Sequence, residues 1–230
     1  LSKQEAAAPV EDSIHYWTPP DISNISNAKQ RELVEYGKEL IIHTAKYLGP
    51  RGTVMQISKG LTCQNCHLQA GTAVFGNNYS SAASLFPRFR ARSGTVETLD
   101  YRINDCIERS LNGKALDTNS REMQAIAAYI SYLGSNVSKG SRAEGAGLKE
   151  LALLNRAADT ANGRVVYVAK CQLCHKANGE GQTSADEREY TYPPLWGNHS
   201  FNDGAGLYRI GNIAKFVKYN MPQGTTCKNP

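Results

Sequence analysis

The chain has no apolar run long enough to cross a membrane. Its longest apolar stretches, Leu40-Ile41-Ile42 and Val165–Val168, are the size of one helix face. A bilayer span needs roughly 18–20 such residues. Dense basic patches are missing too: the formal net charge is +5 over 230 residues. That mild excess suits an anionic substrate or an acidic partner and excludes the electrostatic footprint of a nucleic-acid binder. No strand–helix–strand pattern is visible, which removes the setting of a thioredoxin-like dithiol. Residue 1 opens a polar segment with no export leader, so the sequence reads as a mature form whose leader was removed or not included.

What is there is a pair of pentapeptides, Cys63-Gln64-Asn65-Cys66-His67 and Cys171-Gln172-Leu173-Cys174-His175. Cys-x-x-Cys-His is the attachment pattern of c-type haem. Two thiols add across the haem vinyl groups and the adjacent His ligates the iron. A zinc site would need two ligand pairs in one small domain, and these pairs are over a hundred residues apart. The expected cofactors are therefore two covalent haem c groups, on Cys63 and Cys66 and on Cys171 and Cys174, with His67 and His175 as iron ligands. Covalent haem c is attached outside the cytoplasm, so the expected location is the periplasm.

Around the motifs the pattern is helical. A helix is predicted from about Asn27 to Tyr47, with Leu33, Tyr36, Leu40, Ile41 and Thr44 on one face. Gly37 in its middle suggests close crossing by another helix. A helix capped by Thr95 or Thr98 should run through Leu111, and another from about Ser120 to Leu133 with Met123, Ile126, Ile130 and Leu133 as its stripe. Shorter helices are expected over about 157–170 and 211–219. The fold class is mainly α: two cytochrome c-like helical domains, each with one covalent haem, joined by a Gly/Ser-rich linker. The expected divisions are an arm over 1–26, a first domain over 27–133, a linker over 134–156 and a second domain over 157–230. The second is expected to lack a final helix, since the chain stops nine residues after Met221.

Each iron needs a second ligand, and its identity decides the function. For the second haem Met221 is favoured, in a loop after a helix and before Pro222, with Lys218 and His199 as competitors. For the first, the candidates are Met55, Met123, His43 and Cys106. Cys106 shares a helical stripe with Arg102 and Ser110, with Arg109 beside it. Arg88, Arg90 and Arg92 alternate along an extended segment upstream, which turns them to one side. Guanidiniums near a thiol favour the thiolate and suit capture of oxyanions. A buried Cys on an apolar helix face, with solvated arginines around it, fits the same spacing.

The run Tyr101-Arg102-Ile103-Asn104-Asp105-Cys106-Ile107-Glu108-Arg109-Ser110-Leu111-Asn112-Gly113 resembles the thiosulfate dehydrogenases, dihaem periplasmic cytochromes that interconvert thiosulfate and tetrathionate. Phe86-Pro87, Arg92, the segment 63–72, Tyr192–Gly197, 200–206 and Phe216–Pro222 are similar too. The resemblance implies His67 and Cys106 on a catalytic first haem, and Arg92, Arg102 and Ser110 as substrate-binding residues. It implies a second haem that relays electrons to a small c-type cytochrome or similar carrier. Some members carry Lys immediately before the Met. Here that position is Asn220, a poor iron ligand, so Met221 is expected to ligate in both redox states.

Overall fold

The structure, a computed structural model, describes residues 15–152 and 154–223. Cys227 and the first part of the N-terminal arm lie outside the described residues. The architecture is mainly helical, with two short hairpins.

Helix α1 (Ala28–Ile42) starts where the Asn27 side chain accepts the Gln30 N–H, a cap the sequence carries locally. It does not run unbroken to Tyr47. His43 leaves helical geometry and a short α2 (Thr44–Leu48) follows. The cause lies in the tertiary structure. The Thr44 hydroxyl donates to the Leu40 carbonyl at 2.7 Å and accepts the Cys63 N–H at 2.9 Å, tying the helix end to the first motif.

A left-handed turn, labelled α3 (Leu68–Gly71), follows that motif, with Gln69, Ala70 and Gly71 all at positive φ. Helix α4 (Ala82–Leu85) leads to the hairpin of β1 (Arg88–Arg90) and β2 (Thr95–Glu97). Thr98, not Thr95, caps α5 (Leu99–Ser110), and Ser120 caps α6 (Arg121–Leu133). Leu40, Ile41, Ile107, Met123, Ile126, Tyr129 and Leu133 form the buried centre of one hydrophobic core. The Tyr129 hydroxyl donates to the Ala70 carbonyl at 2.9 Å, which fixes the left-handed turn to α6.

Helices α1 and α6 cross at Gly37. A Cβ there would stand 2.0 Å from the Ala125 carbonyl oxygen and 2.8 Å from the Tyr129 Cβ. The close crossing expected from the sequence is therefore real. Gly37→Ala should lower the stability of the haem-loaded protein by about 3 kcal/mol, because a backbone clash outweighs the gain in helix propensity. Denaturant unfolding would measure it, and an unchanged midpoint would mean the helices separate freely.

The Gly/Ser/Lys-rich stretch after α6 wraps onto the first unit. The Gly145 and Gly147 carbonyls accept the Phe75 and Asn77 N–H groups, and Gly140 N–H donates to Ser84. Trp17 of the arm lies under it, donating from its ring to Asn136 at 2.8 Å.

In the second half, α7 (Thr160–Lys170), α8 (Gln172–His175), the hairpin of β3 (Gln182–Thr183) and β4 (Tyr190–Tyr192), and α9 (Ile210–Asn220) surround the second motif. Among the described residues no helix crosses α7 as α6 crosses α1. Val165 is 67% exposed, and a Cβ at Gly163 would meet nothing within 4 Å. The second half docks on the C-terminal end of α5: the Asn202 side chain donates to the Glu108 carbonyl, and the Asn202 N–H to the Arg109 carbonyl. His43–Glu189 at 2.8 Å and Arg51–Glu187 at 2.7 Å add charged contacts at the opposite edge. No described helix is long and apolar enough to cross a membrane.

Candidate active site

Two cavities meet at Cys106. The first, of about 250 Å³, is mostly apolar and is lined by Cys63, Cys66 and His67 together with Cys106. Ile41, Ile103, Ile126 and Ile130 supply its sides. Of the four residues the sequence offered as a second ligand for the first haem, only Cys106 lines this cavity. Met123 is buried in the helical core, Met55 packs against it, and His43 is paired with Glu189. The helix spacing that groups Cys106 with Arg102 and Ser110 is thus realised, and all three line this cavity.

His67 is held from two sides. Its Nδ1–H donates to the Asn77 carbonyl at 2.5 Å, and its ring stacks on Tyr79 with centroids 4.4 Å apart. Bonding Nδ1 to a backbone carbonyl leaves Nε2 as the free lone pair, the usual preparation of a metal-ligating imidazole. Burial pushes the His67 pKa down to about 4, against the Asn77 bond, so the ring is neutral and able to ligate. Burial likewise pushes Cys63 up to about 11 and Cys66 to about 12, and the nearby charge of Cys106 adds to both.

These residues fit covalent haem c. Two free thiols and an oriented neutral imidazole face an apolar, partly open cavity with a further thiol on its wall. The second motif repeats the preparation: His175 Nδ1–H donates to the Pro193 carbonyl at 2.8 Å. Cys171, Cys174 and His175 are half-buried, as are Cys63, Cys66 and His67. Met221 lies just past α9, packed with Phe216 against Leu68 and Ala73 of the first unit.

The second cavity is a cleft of about 470 Å³ between the two halves. Arg88, Arg90, Arg92, Arg102 and Arg109 line it, together with Cys106 and Ser110. Arg88 and Arg90 stand on β1 as an extended segment requires. Arg92 sits in the turn beyond it, yet reaches the same cleft and donates to the Gly204 carbonyl at 2.8 Å. Asp105, buried at 6% exposure, accepts from Arg102 at 2.7 Å and from Arg109 at 2.5 Å. The Arg102 pKa is raised, first by the negative charge of Cys106 and then by Asp105 and Glu97, against burial. Asp105 and Arg209 were not legible as site residues, because neither repeats the stripe on which Cys106 sits.

Residues 53–140 match a family described as SoxA/TsdA, cytochrome c domain. A thiosulfate dehydrogenase of Allochromatium vinosum is 38% identical over 192 residues, covering 81% of this chain and 70% of the relative. The chain belongs to the thiosulfate dehydrogenase family. A second thiosulfate dehydrogenase, from Psychrobacter arcticus, is 38% identical over 205 residues, covering 89% of this chain and 61% of the relative. Among solved structures, the thiosulfate dehydrogenase (TsdBA) of Marichromatium purpuratum superposes with a TM-score of 0.82 at 30% identity. That match covers 90% of this chain and 44% of the solved one. The chain thus spans 61 to 70% of the length of these two curated thiosulfate dehydrogenases. It shares with the family a cytochrome c domain, which carries covalent haem, and its cationic cleft opens beside that domain's attachment site.

Proposed function

We propose that this chain joins two thiosulfate ions into tetrathionate, with Cys106 as the sulfur that carries the reaction. Haem held by Cys63, Cys66, His67 and Cys106 in residues 27–133, and by Cys171, Cys174, His175 and Met221 in residues 157–230, would supply one-electron transfer to an outside carrier such as a small c-type cytochrome. One observation carries the reading: the Cys106 side chain lines both the apolar cavity of the first motif and the arginine-lined cleft.

The chemistry follows from that position. The Cys106 thiolate and one thiosulfate lose two electrons to the acceptor and form a Cys106–S–S–SO₃⁻ adduct. The terminal sulfur of a second thiosulfate attacks the sulfur bonded to Cys106 Sγ and breaks that Sγ–S bond. Tetrathionate leaves and the Cys106 thiolate is restored. Two dianions about 5 Å apart repel by roughly 3 kcal/mol even in water, and by more in a drier cleft. Arg92, Arg102 and Ser110, with Arg88, Arg90 and Arg109, are the groups we assign to offset that repulsion and to orient the oxyanions. The reverse reaction, tetrathionate reduction, would use the same residues. The site of action we propose is the periplasm, where haem c is attached.

The test is an assay of the haem-loaded protein with thiosulfate and ferricyanide. Two ferricyanide ions should be consumed per tetrathionate formed. No consumption by protein carrying its full complement of haem would overturn the assignment and leave an electron carrier.

A further inference from the structure

We propose that Arg209 belongs to a second oxyanion subsite, on the second unit's side of the cleft, so that the cleft holds two tetrahedral dianions at once. This deepens the functional reading above and rests on it.

The charge in the cleft exceeds what one anion needs. Six guanidiniums line it, from Arg88, Arg90, Arg92, Arg102, Arg109 and Arg209, against one carboxylate, Asp105. With the Cys106 thiolate and Glu97, which lies 3.8 Å from Arg90 Nε, also counted, the excess is three positive charges, more than a single dianion neutralises. Nor do internal bonds use those guanidiniums up. Asp105 takes one arm each of Arg102 and Arg109, Glu97 stands 3.8 Å from Arg90 Nε, and Arg92 gives one arm to the Gly204 carbonyl. The Nη1 of Arg109 is buried and has no hydrogen-bond partner in the protein. A buried N–H without an acceptor is costly unless a ligand supplies one.

Arg209 reaches this place because the loop before it is anchored there. A Cβ on Gly204 would stand 3.1 Å from Arg109 Cγ, so this loop lies directly on the Arg109 side chain. The Gly206 carbonyl then accepts both the Arg209 N–H at 3.4 Å and the Asn212 side-chain amide at 2.9 Å. That pair of bonds sets the first turn of α9 with Arg209 and Asn212 both on the cleft wall. The first anion is then the one beside Cys106 and Arg102. The second is held between Arg109 and Arg209, bridging the two halves of the chain.

Sulfate tests this without turnover, being a tetrahedral dianion that cannot couple. Calorimetric titration of oxidised haem-loaded protein at low ionic strength should give two sulfates per chain. Arg209→Met should give one, and should raise the thiosulfate KM about tenfold. Arg209→Lys should recover part of both losses. Arg164→Met, an exposed arginine outside the cleft, should keep two. The proposal is overturned if the unsubstituted protein binds one sulfate, if Arg209→Met still binds two, or if Arg164→Met loses one as well. Unsubstituted protein that binds two sulfates but oxidises no thiosulfate would refute the functional reading and leave the subsite standing.

Discussion

Replacing Cys106 with methionine is expected to leave haem attachment intact and to lower thiosulfate turnover at least about a thousandfold. Cys106 lies outside both Cys-x-x-Cys-His motifs, and Met is an apolar, flexible side chain. A thioether can face the same cavity as the thiol, but it cannot form a bond to thiosulfate sulfur and later release it. Haem content, read as the reduced pyridine adduct, should match that of the unsubstituted protein. Turnover, read with ferricyanide, should fall to background. Activity within tenfold of the original would sink the covalent role of Cys106. A protein that fails to take up haem would instead assign Cys106 to assembly.

Asp105→Asn should separate binding from chemistry. The Asp105 carboxylate is buried and holds Arg102 and Arg109 on opposite oxygens. Removing its charge has two opposed effects. The cleft becomes more positive, which draws anions in. The two guanidiniums also lose the anchor that aims them past Cys106. Near-surface Coulomb terms are a few kcal/mol at contact, and both arginines are about a third exposed, so the gain in attraction is modest. Misplacement of a positioning group by about 1 Å can cost a hundredfold in rate. The expected result is therefore kcat down about a hundredfold with KM within threefold. Stability should fall by about 2 kcal/mol, less than for a fully buried pair because water reaches both arginines. A rise in KM with kcat unchanged would mean that Asp105 only shapes binding.

Much of the helical framework was legible because its signals are local. Asn27, Thr98 and Ser120 cap their helices through bonds to N–H groups within three residues. The apolar stripe of α6 and the glycine at the crossing need only helical periodicity to be seen. The break at His43 was not legible, since it depends on Thr44 meeting Cys63, nineteen residues away. The segment after Leu133 reads as linker by composition. Its glycines in fact present backbone groups that Phe75 and Asn77 use, and composition carries no trace of such pairing.

By itself the sequence carried the signal of a cytochrome c domain, because the attachment pattern of covalent haem packs two thiols and an imidazole into five consecutive residues. It also determined that Cys106 travels with Arg102 and Ser110, because 3.6 residues per turn puts them on one stripe. Only the tertiary structure decided that this stripe separates an apolar cavity from a cationic cleft, and that Asn77 aims the His67 ring. It alone decided that Arg109 and Arg209, a hundred residues apart in the chain, line one cleft. The reason is physical: a cavity is bounded by segments that meet only when distant parts of the chain pack, and no local pattern encodes which segments those are.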